Sequence, residues 1–148
     1  MKSKEIAISD GLEGALREAI VQYQIPFKFA DGGGLQDAPS ALLADDSGGN
    51  LVFYNHAAQD VFGYTHEEAI GMPSIDLVPT EEDHQAATGI MAYREKMFNK
   101  ILNDKVSIRV DSTIRKTKSG ELITISGHVF PYEFRRGRYS IAAVVEKI

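Results

Sequence analysis

The last third of the chain constrains the fold most, because it reads as three successive strands joined by tight turns. Residues 106–114 alternate between mostly apolar and polar side chains, which is the period of a strand buried on one side. A turn at Ser119-Gly120 separates this strand from residues 122–134, and a second turn at residues 135–137 leads into residues 139–146. Connections this short require antiparallel pairing, because a parallel pair needs a long crossover.

The second of these strands is apolar on both of its faces. Ile123 and Ile125 lie on one side of the pleat, whereas Phe130 and Tyr132 lie on the other. A strand of this kind needs cover on both sides of the sheet. We expect helices between residues 55 and 103 to cover one side and an N-terminal helix to cover the other.

The N-terminal helix is predicted from the intervals between its apolar residues, and Pro26 stops it. We expect its apolar stripe to pack on the outer face of the sheet or on the same helix of a second chain. The residues of this predicted dimer helix are Leu12, Leu16, Ala19, Ile20 and Tyr23. Glycines at residues 32–34 mark a linker, so we divide the chain into an N-terminal helix and linker, residues 1–39, and a main domain, residues 40–148.

The segment between the linker and the last three strands is predicted to form a hairpin followed by helices. The hairpin turns at residues 45–50, and Gly63 ends the short helix that comes next. Thr65-His66-Glu67-Glu68 is a capping box that opens a second short helix. Pro79 and Thr80 then introduce a long helix at about residues 81–103. Grouped strands with helices between them indicate an α+β fold with a five-stranded antiparallel sheet, helices on one face and an extra amphipathic N-terminal helix.

Four stretches of the main domain, in this order and spacing, resemble the PAS family. They are residues 46–51, 54–58, 62–71 and 116–121, of which residues 62–71 are the most specific. The resemblance implies a PAS-like fold over residues 40–148. It also implies a sensory or dimerisation module of a signalling protein, which holds a small molecule, haem, flavin or nothing between the sheet and the long helix.

The cleft between the long helix and the sheet is the predicted ligand pocket, because such pockets are largely apolar with a few polar groups. Its polar candidates are Tyr93, Ser112, Thr124, Ser126 and His128. The predicted lining is Val61, Phe62, Ile75, Leu77, Ile90, Tyr93, Met97, Ile108, Val110, Ile123, Ile125, Ile141 and Ala143.

Cofactors are weighed against what the resemblance implies. In the haem-binding branch a histidine on the long helix is the axial ligand, which makes His84 the candidate. However, His84 lies among acidic residues in a helix turn where exposure is expected, and Asp111 stands near the place where that branch carries a basic residue. The light-sensing branch bonds flavin through a cysteine, and the chain has none. No cofactor is required, and haem and non-covalent flavin stay open.

Other chemistry finds little support in the residues. The histidines show no metal-ligand spacing with carboxylates, so we predict no metal site. There is no phosphate-binding loop, nucleophile elbow or HExxH helix, so we predict no catalytic residue and no enzyme. Asp111 is the single carboxylate considered as a catalytic base, and its alternation places it on the outer side of the strand.

Composition narrows the remaining classes. The net charge of −5 argues against nucleic-acid binding, and no apolar run reaches signal-peptide or membrane-spanning length. We expect a cytoplasmic homodimer that senses a small ligand and contacts a signalling partner, without binding nucleic acid or membranes. The alternatives are a ligand-free dimerisation module of a histidine kinase, cyclase or transcription regulator, a haem-binding gas sensor, and a small α+β enzyme.

Overall fold

A single five-stranded antiparallel sheet organises the chain. The computed structural model describes residues 2–148, and side chains within residues 11–85 and 87–148. The strands are β1 (Ala41–Asp45), β2 (Leu51–Tyr54), β3 (Ile108–Lys116), β4 (Leu122–Arg135) and β5 (Arg138–Lys147). They lie in the order β2-β1-β5-β4-β3, and each neighbouring pair is antiparallel. The predicted sheet, its hairpins and the α+β class are confirmed.

Helices cover both faces of this sheet. They are α1 (Lys2–Gln22), α2 (His56–Phe62), α3 (His66–Ala69) and α4 (Ile90–Asp104), with short 3-10 turns at Leu35–Asp37, Ser74–Leu77 and Gln85–Ala87. The predicted capping box at Thr65 is present, and Gly63 ends α2 in the left-handed conformation. In the part of the chain that the structure describes, no helix is both long and apolar enough to span a membrane.

The outer face of the sheet is covered by α1. Leu16 on α1 and Phe130 and Tyr132 on β4 are all buried in one apolar cluster. Burial of this much apolar surface stabilises the contact, since each fully buried large side chain contributes about 1.5–3 kcal/mol. The stripe predicted as a dimer helix therefore packs on the chain's own sheet, the first of the two expected places. Its role between two chains stays a prediction.

The inner face is covered by α2, α3 and α4. Tyr54 and Phe62 are buried with Ile123 and Ile125 in a cluster under α2 and α3. A separate cluster joins Met97 and Ile101 of α4 to β4 and β5. Residues of both clusters, among them Phe62 and Met97, line a space that is left between them.

The long helix is shorter than predicted. It was expected at residues 81–103, but α4 begins at Ile90 because Gly89 adopts a φ of 84°, which is outside the helical region. The preceding residues form turns, in which the Asp83 carboxylate accepts hydrogen bonds from the backbone and side chain of Thr80. The helix still crosses β3, β4 and β5, so the cleft forms as expected.

An irregularity in β3 overturns the predicted alternation of that strand. Val110 pairs with Gly127 and Thr113 pairs with Ile125, so two residues on β3, Asp111 and Ser112, lie opposite the single residue Ser126 on β4. This is a β-bulge, and the extra residue reverses the faces of all residues that follow it. Thr113 and Arg115 therefore face the cleft, although the sequence pattern placed them on the opposite side.

Candidate functional site

A cavity of about 70 Å³ lies between α4 and the inner face of the sheet. A single water molecule needs about 10–15 Å³ by the same kind of measure, so this space admits more than one water or a small organic molecule. Most of the surrounding side chains are apolar, and Asp45, Ser74 and Arg94 form a hydrogen-bonded polar group at one end. The lining consists of Leu43, Asp45, Phe62, Ser74, Leu77, Val78, Arg94, Met97, Phe98, Val110, Thr113, Arg115, Ile125, Ser126, Gly127, His128, Val129, Ile141, Ala142, Ala143 and Val145.

About half of the predicted pocket residues line this cavity. Of the polar candidates, Ser126 and His128 border the cavity through the β4 backbone, since their side chains lie on the outer side of the strand, and Ser112 and Thr124 are exposed. The predicted residues found in the lining are Phe62, Leu77, Met97, Val110, Ile125, Ile141 and Ala143.

The remaining predicted pocket residues lie elsewhere. Ile75 and Tyr93 are 43% and 52% exposed, so neither belongs to the cleft. On α4 the inward face carries Arg94, Met97, Phe98 and Ile101, at the three- and four-residue intervals of one helical side, and Tyr93 falls outside this side.

The other four predicted residues are also absent from the cavity lining. Ile123 is buried in the cluster under α2, and Ile108 packs with the α4 cluster. Val61 lines a different, outer depression. Ile90 is the first residue of α4 and is absent from the cavity lining.

The polar end of the cavity is a buried hydrogen-bonded cluster around Asp45. Ser74 Oγ donates to Asp45 Oδ2 at 2.7 Å, and Arg94 Nη2 donates to Ser74 Oγ at 2.8 Å. The same Arg94 nitrogen lies 3.9 Å from Asp45 Oδ2. The Arg94 guanidinium also stacks over the Phe98 ring, 4.4 Å from its centroid, and Tyr132 donates to the backbone carbonyl of Asp45. The carboxylate is thus held by one hydroxyl and one cation.

Arg115 is the second guanidinium of the cavity, and its partners differ. Its Nη1 donates to Thr113 Oγ1 at 3.2 Å and to the carbonyl of Ile114 at 2.9 Å, both on its own strand. Among the described residues, no carboxylate lies within 4 Å of this guanidinium. Arg94, in contrast, has the Asp45 carboxylate at 3.9 Å. A largely buried cation without an anionic partner is unusual, because transfer from water is costly unless the charge is paired.

Burial shifts the ionisation of these groups. Desolvation raises the pKa of Asp45 from 3.8 to about 6, although the Ser74 hydroxyl and the Arg94 charge oppose the shift. Desolvation, together with the nearby Arg94 charge, lowers the pKa of Arg115 to about 10, so it stays protonated at neutral pH. Desolvation and then Arg109 lower the pKa of His128, which is therefore neutral at pH 7.

We predict that Asp45 makes the protein less stable as the pH rises from about 4 to about 6. Its folded pKa lies above its ordinary value, so the folded chain binds the extra proton in this window and loses that advantage as the proton leaves. A shift of two pKa units corresponds to about 3 kcal/mol. The measurement is the free energy of unfolding in urea at pH 4 and at pH 7. Between these two pH values it should decrease less for Asp45→Asn than for the wild type, by on the order of 2–3 kcal/mol.

The control for this measurement is Asp111→Asn, because the Asp111 side chain is 89% exposed. Its unfolding free energy should follow the wild-type pH dependence. Parallel curves for wild type and Asp45→Asn would show that the Asp45 carboxyl has no raised pKa.

The polar cluster was missed by sequence reasoning. Asp45 was assigned to the hairpin turn at residues 45–50, and Arg94 was not singled out among the residues of the predicted long helix. Arg115 reads as outward-facing, because strict alternation does not allow for the bulge at residues 111–112. An aspartate directly after an apolar strand, with arginines on two later elements, was the available signal, but it required tertiary contacts to interpret.

The site does not fit haem, flavin or a metal. His84 is exposed in the segment before α4 and is not part of the cavity lining. A volume of about 70 Å³ is far below what a porphyrin or isoalloxazine ring needs. Among the residues whose side chains the structure describes, no group of three histidines or carboxylates could hold a metal ion. Asp111 is exposed and is not part of the cavity lining.

The sequence matches a family model described as the PAS fold over residues 33–148. A curated relative, an uncharacterized protein of Azorhizobium caulinodans, is 28% identical over 100 residues. That match covers 67% of this chain but 12% of the relative, so the chain spans a small part of that protein's length.

Solved structures show the same fold. The PAS domain of a protein from Colwellia psychrerythraea superposes with a TM-score of 0.61 at 16% identity, covering 76% of this chain and 89% of that one. The PAS domain of a LuxR-family transcriptional regulator from Burkholderia thailandensis, in complex with ethanol, has a TM-score of 0.58 at 16% identity and covers 76% and 92%. At this identity the likeness establishes the fold and no ligand.

Proposed function

The chain belongs to the PAS family, and from this premise we propose that it is a cytoplasmic sensory module. In this proposal a small molecule binds in the cavity between α4 and the sheet, and the signal passes through a homodimer. Residues 40–148 form the sensing domain, and residues 1–39 carry the change outward. The output activity would belong to a signalling partner or to further domains of a larger regulator.

The cavity of about 70 Å³ is the observation that carries this proposal. Pockets that bind small molecules are mostly apolar and contain a few placed polar groups, as here. Support comes from the Burkholderia thailandensis domain, which is similar in fold and whose structure holds ethanol, a ligand of comparable scale.

A route from the cavity to α1 supports the signalling part. Val129 lines the cavity, and the next residue on β4, Phe130, is fully buried in the cluster under α1. A ligand that displaces the inner face of β4 would therefore disturb the packing of α1 on the outer face. It would do so only to the extent that it binds one arrangement better than the other. Val21 on α1 is 71% exposed and offers an apolar contact to a second copy.

Native mass spectrometry of the purified chain tests both parts of the proposal. We expect a dimer that carries additional mass, which is lost when the protein is denatured. Ala143→Leu should fill the cavity with added methyl groups and remove that mass, whereas Ala92→Leu, at an exposed position on α4, should leave it in place.

The contrary results are separable. A wild-type dimer that carries no added mass would favour a ligand-free interaction module. A monomer that carries the mass would remove the homodimer from the proposal and keep the sensor.

A further inference from the structure

We infer that the cavity is built to bind a short-chain monocarboxylate, whose carboxylate pairs with Arg115 beside Arg94 and whose apolar tail lies against the inner face of the sheet. This inference rests on the proposed function, because it names the ligand class of the same cavity.

The first support is the unused hydrogen-bonding capacity of Arg115. A guanidinium has five N–H donors, and the two on Nη1 are matched by Thr113 Oγ1 and the Ile114 carbonyl. Nε and Nη2 have no acceptor among the described residues, and because no fully buried side-chain nitrogen there lacks a partner, these two atoms are accessible to water or to a ligand. These two nitrogens form the edge that binds both oxygens of a carboxylate, and bidentate pairs of this kind are stronger than neutral hydrogen bonds.

The second support is the charge balance of the cavity wall. The titratable side chains on the cavity side of the sheet and of α4 are Asp45, Arg94 and Arg115, whereas His128 pairs with the exposed Arg109 and lies on the outer side of β4. At neutral pH the two arginines are cationic and Asp45 is mostly ionised, which leaves one net positive charge on the cavity wall. A buried charge is costly without a partner, so a ligand with a single negative charge stabilises the site more than a neutral one.

The third support is the size and character of the rest of the cavity. A volume of about 70 Å³ is roughly half that of an apolar cavity that takes benzene. Val110, Ile125 and Ile141 contribute apolar side chains to the same lining. A carboxylate with a short alkyl tail, the size of propionate, matches both the volume and this apolar wall.

The test is a titration of the full chain, labelled with nitrogen-15 and freed of bound ligand by unfolding and refolding, at pH 7. Propionate should shift the amide resonances of Val110 and Ile125. Propionamide and propanol have nearly the same shape but no charge, and should bind at least about tenfold more weakly. Inorganic phosphate controls for binding of any anion and should cause no saturable shift.

Variants place the interaction on named atoms. Arg115→Met should fold, because it removes an uncompensated buried charge, and should weaken propionate binding by at least about tenfold. Arg115→Lys keeps the positive charge but loses the planar pair of N–H donors. Its affinity for propionate should therefore lie between those of the wild type and Arg115→Met. Asp45→Asn removes the competing carboxylate near Arg94 and should strengthen propionate binding by roughly threefold or more.

Each contrary result has one meaning. Equal binding of propionate and propionamide, tighter binding of phosphate, or wild-type propionate affinity in folded Arg115→Met would overturn the monocarboxylate inference. If the neutral compounds bind in the cavity, the sensory proposal survives that failure. If no compound causes shifts and native mass spectrometry shows no added mass, both fail.

Discussion

Asn55→Ala is expected to lower the free energy of unfolding by about 4 kcal/mol, the largest effect predicted for a single side chain here. Asn55 is fully buried. Its Oδ1 accepts from the backbone amides of Leu42 and Ala58, at 3.0 and 3.1 Å, and its Nδ2 donates to the carbonyls of Leu35 and Ser40, at 3.0 and 2.8 Å. Each hydrogen bond contributes about 1 kcal/mol, and a buried group left without its partner costs about 1–3 kcal/mol.

Urea unfolding followed by circular dichroism measures this loss. The matched control is Gln59→Ala on the same helix, because the Gln59 amide makes no side-chain hydrogen bond among the described residues, and a change within about 0.5 kcal/mol is expected. Asn55→Asp keeps the two accepted hydrogen bonds but places a carboxylate oxygen against the carbonyls of Leu35 and Ser40. Because the ionised form is repelled there, the stability of this variant relative to the wild type should be greater at pH 4 than at pH 7. A loss below about 1 kcal/mol for Asn55→Ala would mean that water replaces the amide.

Gly127→Ala is expected to cost about 3 kcal/mol or more. Gly127 lies in the middle of β4, where a Cβ atom would overlap the carbonyl oxygen of Val144 and approach the Cα of Val145 to 3.1 Å. These are backbone atoms of the neighbouring strand, so the clash can be relieved only by moving β5 away from β4. Overpacking of this kind typically costs about 1–3 kcal/mol, and rigid backbone places this site at the upper end.

The matched control is the same substitution at Gly48, where a Cβ would meet only ordinary contacts, the nearest at 3.4 Å from an Asp46 side-chain oxygen. Thermal unfolding should show a much lower midpoint for Gly127→Ala and a small change for Gly48→Ala. Similar midpoints for the two variants would show that the β4–β5 pair accommodates the methyl group without separating.

The fold was largely predictable from the sequence, because its signals are local. The two apolar faces of β4 follow from residue parity alone, and they required cover by α1 on one side and α2 to α4 on the other. The capping box at Thr65 and the left-handed Gly63 are likewise set by a few neighbouring residues. These features depend on short-range sterics and hydrogen bonding, which act in the same way wherever the segment lies.

The site was predictable only in its apolar half. Phe62, Met97 and Ile125 were placed in the cleft by periodicity, whereas Asp45 was assigned to a turn and Arg94 was not singled out. A charged residue reads as exposed in a sequence because burial of an unpaired charge is costly. Its partner lies on another element, so no local pattern reveals that the charge is paired.

The order of strands and helices, the two-sided sheet and the chain turns were therefore determined by the sequence itself, since apolar period and turn chemistry act between near neighbours. Tertiary structure alone decided that α4 begins at Ile90 and that two residues of β3 oppose one of β4. Because of this bulge, the Arg115 side chain faces the cavity. Register depends on how two distant strands meet, and one extra residue in that pairing reverses which side chains face inward.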